Sequence, residues 1–120
     1  MMTDNNKSAS MTPSTITIKI TSAANLDDQQ HVGKVFRLNW VDDPRMTYRI
    51  VCPSCGESYL DLTEAVKDTV KRQAPSCEWS VTCGALYSYD HTIVSHSGPC
   101  DATFHFLITV GYTSSPETSR

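Results

Sequence analysis

Apolar and polar positions alternate most clearly near the two ends of the chain. In "STITIKITS", Ile16, Ile18 and Ile20 alternate with threonine and lysine. A period of two is that of a strand with one face in a core. "TFHFLITVGY" repeats the pattern, with Phe104, Phe106, Ile108 and Val110 on one face, and predicts a second strand of the main sheet. "KVFRLNWV" sets Val35, Arg37 and Asn39 against Phe36, Leu38 and Trp40. The turn sequence "DDPRMT" follows, with Pro44 after two aspartates, and then "YRIVC". These two runs predict an antiparallel hairpin that ends at Cys52. "EWSVTC", "ALYSY" and "HTIVSH" also read as extended.

The period changes once. In "DLTEAVKDTVKRQAP", Leu62, Ala65, Val66, Thr69 and Val70 recur at intervals of three and four, which predicts a helix over 61–73. Asp61 and Glu64 stand in for a capping box, Lys71 and Arg72 suit the C-terminal end of the dipole, and Pro75 stops the helix. Trp40 and Trp79 are expected to pack in the core or on the sheet. The fold class expected is α+β: a mainly antiparallel β-sheet with one inserted helix.

With 120 residues the chain suits one domain. Residues 1–13 are Ser-, Thr- and Asn-rich and are expected to form a disordered lead, and "TSSPETSR" (113–120) a tail, leaving 14–112 as the domain. The net charge of −3 gives no general reason to expect nucleic acid or an anionic membrane. Its distribution is uneven: before the terminal Arg120, every lysine and arginine lies at or before Arg72. A nucleic-acid face, if one exists, would use Arg37, Arg45, Arg49, Lys67 and Lys71. No apolar run approaches the ~20 residues of a membrane span, and no signal peptide is visible. The expected compartment is cytoplasmic, with a virion-associated or secreted, disulfide-forming protein as the alternative.

In a reducing compartment, clustered cysteines point to metal rather than to disulfides. There are five, an odd count that cannot close completely into intrachain bridges. Cys52 and Cys55 lie in "CPSCG". Two cysteines at this spacing wrap a tight turn and aim both sulfurs at one point, where turn N–H groups can meet the thiolates. The following Gly56 supplies a positive φ without strain. The stretch "C52-P-S-C55-G56", with its entering strand, resembles the first knuckle of zinc-ribbon and rubredoxin-like domains. The resemblance covers those residues alone and implies a second cysteine pair on another hairpin.

The second half is imperfect. Cys83 is followed by Gly84, but Ser80 stands where the pattern wants cysteine. Cys77 is the first choice of fourth ligand. On a straight strand, however, its six-residue separation from Cys83 spans about 20 Å, so "CEWSVTC" would have to loop. Alternatively, residues 83–100 fold as a hairpin turning at His91 and Thr92. Tyr87 would then oppose His96, and Cys83 would oppose Cys100, so Cys100 or His96 becomes the closing ligand. The expected metal is a structural Zn²⁺ held by Cys52, Cys55, Cys83 and Cys77, with Cys100 or His96 as alternatives.

No Gly-rich phosphate loop, nucleophile elbow or acidic catalytic pair is present. His91, His96 and His105 match no common metallohydrolase spacing. The strand–CPSC–helix order superficially resembles thioredoxin-like proteins. There the helix starts at the CxxC itself, whereas here "GESYL" intervenes. The expected function is therefore a non-enzymatic zinc-binding module that acts as an adaptor for protein, with nucleic acid as a further option. A structural or assembly subunit comes second, and a CxxC thiol–disulfide oxidoreductase third.

Overall fold

A computed structural model describes residues 11–87, 93–96 and 100–114, with the backbone alone for 85–87, 93–96 and 114. The elements in chain order are β1 (Met11–Ala23), β2 (Val35–Asn39), β3 (Arg49–Val51), β4 (Tyr59–Asp61), α1 (Thr63–Lys71), β5 (Ser76–Thr82), β6 (Ala85–Tyr87), β7 (Ile93–His96) and β8 (Thr103–Ser114). The four strands β2-β1-β8-β5 form the main sheet; β3–β4 and β6–β7 are separate two-stranded ladders, and all pairings are antiparallel. The mainly antiparallel α+β class holds. Pairing starts at Met11 and runs to Ser114, slightly beyond the expected limits of 14 and 112. The outer parts of both expected tails, and the turn expected at His91–Thr92, lie outside the described residues.

The period-two pattern places the core. Ile16, Ile18 and Ile20 of β1 and Phe104, Phe106, Ile108 and Val110 of β8 are all buried. In register, Ile18 lies opposite Ile108, and Phe106 is flanked by Ile20 and Trp79. Burying one such side chain stabilises the fold by roughly 1.5–3 kcal/mol before conformational entropy is subtracted. The opposite face, with Thr15, Lys19, Arg37, His105 and Thr109, is exposed. Helix α1 covers the β8–β5 half of the inner face through Ala65, Val66 and Thr69. Trp40 and Trp79 pack against this core. Tyr48 is fully buried as well; Trp40 stacks on it at 5.5 Å, and its hydroxyl accepts the Val41 N–H at 2.9 Å.

Two local expectations are corrected. The runs around β2 and β3 do not pair with each other. A 3-10 turn at Leu26–His31 and Gly33, at φ +99°, return the chain so that β2 pairs with β1. This places Phe36 and Leu38 beside Ile18 and Ile16, an apolar match that β3 could not offer over three residues. Strand β3 instead pairs with β4. The "DDPRMT" turn does form: the Met46 N–H donates to the Asp43 carbonyl at 2.9 Å. The helix starts at Thr63 rather than at Asp61, without a side-chain cap at Leu62. Asp61 still takes the Thr63 N–H at 3.0 Å, from one residue further out. The helix ends at Lys71, with Arg72 as its C-cap, and the positive φ of Gln73, +55°, then turns the chain away.

Candidate metal centre

Strands β3 and β4 are joined by "CPSCGES", and the joint is a tight knuckle. The Gly56 N–H donates to the Cys52 carbonyl at 2.8 Å, and the Cys52 N–H donates to the Ser58 carbonyl at 2.8 Å. Gly56 takes φ +71°, with open space where a Cβ would sit. Gly56→Ala therefore meets no steric clash and costs only conformation, about 1–2 kcal/mol of knuckle stability. Thermal denaturation of the metal-loaded protein is expected to show a lower midpoint with unchanged metal stoichiometry.

The other half comes from the end of the main sheet. Beyond the Thr82–Thr103 pair, the Cys83 N–H donates to the Ala102 carbonyl at 2.8 Å, one further step of the β5–β8 ladder. Gly84, at φ +76°, then turns the chain into the β6–β7 hairpin, which returns to Cys100 two residues before Ala102. Cys83 and Cys100 thus stand on neighbouring chain segments at one corner of the sheet, and the knuckle faces them.

The Sγ atoms of Cys52, Cys55, Cys83 and Cys100 all lie within 4.8 Å of one another. Cys52 is 3.9 Å from Cys100, and Cys55 is 3.8 Å from Cys83. Both separations are far longer than the ~2.05 Å of a disulfide. Cys52 and Cys83 are fully buried, whereas Cys55 and Cys100 are half-buried, so the cluster closes a corner of the core rather than lying on the surface.

Backbone N–H groups act on the knuckle sulfurs. Those of Glu57 and Ser58 pull the Cys55 thiol down to about 6, and the Ser58 donor lies 3.4 Å from its sulfur. Burial pushes the Cys52 thiol above its ordinary value, against the N–H groups of Cys55 and Ser54, which favour its thiolate. Cys83 is also pushed up by burial, reinforced by the sulfurs around it. A metal must displace protons from such thiols, so its affinity rises with pH. These backbone donors are not side-chain features; the spacing of the two cysteines and the glycine after the second were their signals in the sequence.

Cys77, the first-choice fourth ligand, is not in this cluster. Strand β5 is regular from Ser76 to Thr82, so the required loop is absent and Cys77 faces α1, with Thr69 Oγ1 2.9 Å from its sulfur. Cys100 stands where Cys77 was expected. The β6–β7 hairpin forms with a register two residues away from expectation: Ala85, not Tyr87, opposes His96. Cys83 and Cys100 meet through the main sheet instead. The His96 side chain lies outside the described part. His105 is exposed on the open face of β8. The basic residues are dispersed among local partners. Arg45 reaches Asp43 at 3.2 Å, Arg49 lies 5.1 Å from the Tyr59 ring centroid, and Lys67 donates to the Pro44 carbonyl at 2.6 Å.

Among the described residues no helix is long and apolar enough to cross a membrane. No family model, curated protein or solved structure matches the chain.

Proposed function

We propose that the chain is a non-enzymatic structural zinc module that presents its β-sheet to a protein partner. The carrying observation is the convergence of four cysteine sulfurs within 4.8 Å. Tetrahedral Zn²⁺ with Zn–S bonds of about 2.3 Å sets its sulfurs about 3.8 Å apart, close to the two separations of 3.8 and 3.9 Å. An all-thiolate set favours zinc over hard cations. Four protein ligands complete the shell and leave no position for an activated water, which supports a structural rather than a catalytic metal. The metal would tie the knuckle to the corner of the sheet and add folding free energy to a small core.

Native mass spectrometry beside the denatured, non-reduced mass tests this reading. One zinc per chain and five free thiols are expected. A metal-free protein lacking two hydrogens per disulfide would overturn it.

A further inference from the structure

Among the described residues, β2 is an edge strand of the main sheet, paired on one side alone. Along β1–β2 the Trp40 N–H donates to the Ser14 carbonyl at 2.8 Å, and the Ile20 N–H donates to the Lys34 carbonyl at 3.0 Å. These bonds fix the alternation: the backbone groups of Phe36 and Leu38 turn toward β1, and those of Val35, Arg37 and Asn39 turn away from it. Among the described residues no partner meets those outward groups. The edge carries no proline and no bulge, two common devices that block strand addition. Phe36 and Leu38 are only half-buried along the same rim, so an added strand would complete their burial.

Charge selects the occupant. Neither β1 nor β2 contains a carboxylate, while Arg37 and Lys19 stand exposed on the open face and Lys34 flanks the strand. A second copy is a poor fit. The antiparallel pairing that engages all five residues of both β2 strands sets Arg37 against its own counterpart, and directly opposed like charges are destabilising.

We propose that the outer edge of β2 binds an extended, carboxylate-bearing protein segment as a fifth strand of the main sheet. Main-chain hydrogen bonds to Val35, Arg37 and Asn39 hold the segment, and acidic side chains beside Arg37 and Lys19 select it. The proposal rests on the adaptor reading, for which it supplies the surface and the partner class, and it does not require the metal to touch the partner.

The test uses a capped heptapeptide of alternating valine and glutamate, titrated into the zinc-loaded protein and followed by amide NMR and hydrogen exchange. The same samples are assayed for zinc. Slower exchange is expected at the Val35, Arg37 and Asn39 amides. Binding is expected to weaken about threefold or more for each glutamate changed to lysine and to vanish when alternate peptide nitrogens are methylated. Arg37→Glu should invert the preference between the two peptides. Arg37→Pro removes an outward N–H without touching the β1–β2 ladder and should abolish binding. Equal binding of both peptides, or unchanged exchange at the three amides, would overturn the proposal while a full zinc count left the metal reading standing. Concentration-dependent protection without peptide would replace it with self-pairing, and tighter, salt-sensitive binding of a DNA oligomer would replace it with a nucleic-acid surface.

Discussion

Cys100→Ser is expected to abolish stoichiometric zinc binding, and Cys77→Ser to leave it intact. The two residues were rivals for the same role on spacing alone, and the geometry separates them. Cys100 Sγ lies 3.9 Å from Cys52 Sγ within the four-sulfur cluster, whereas Cys77 is held against Thr69 on the helix side of β5. Loss of a residue that merely orients a ligand lowers metal affinity 10- to 100-fold, so loss of a ligand should lower it by more than about a hundredfold. Because binding free energy is also folding free energy, the Cys100 variant should melt like the chelator-treated parent. Cys77→Ser swaps one small group for another beside a hydroxyl, with an expected cost of about 1 kcal/mol or less. Competition with a chromogenic chelator, read together with melting curves, checks both. Retention of metal by the Cys100 variant together with its loss from the Cys77 variant would sink the assignment.

The contrast shows which structural features a sequence carries and which it does not. Strands β1 and β8 were legible because their burial is one-sided, so Ile16, Ile18 and Ile20 and Phe104 through Val110 alternate over long runs. The helix face was legible for the same reason at a different period. Pairing was not legible. Residues 35–39 and 49–51 are extended, as expected, but nothing in their composition states that a 3-10 turn at 26–31 returns β2 to β1. Tyr48 is buried because its hydroxyl meets Val41 and its ring meets Trp40, contacts made only once the loop has closed. The CPSCG knuckle was readable because its geometry is local, with every hydrogen bond spanning a few residues. Cys100 was readable only as an alternative to Cys77, because it reaches Cys83 through the register of the β5–β8 ladder, a long-range property.

That ladder also concentrates stability at one residue. Phe106 lies in the part of β8 that is paired on both sides, 1% exposed, between Ile20 and Trp79, with Phe104 at a centroid distance of 6.3 Å. All four main-sheet strands meet the same apolar layer, so its removal opens a cavity that no single neighbour can fill. Phe106→Ala is expected to cost about 3–5 kcal/mol, a large part of the ~5–15 kcal/mol that holds a typical domain folded. At roughly 4–8 °C per kcal/mol for a domain near this size, the midpoint should fall by more than about 12 °C. Thr109→Ala, on the exposed face of the same strand, should cost less than about 1 kcal/mol. Both are measured with zinc in excess, so that a change in metal occupancy is not read as a change in packing. Equal melting points for the two variants would mean that the two faces of β8 are not differently buried, and the one-sided sheet would have to be abandoned. A large loss in Phe106→Ala alone would locate the folding energy in the sheet, with the metal corner adding to it. In that case the variant should also become the more zinc-dependent of the two, because a weakened core leaves the cysteine cluster to supply a larger share of the remaining stability.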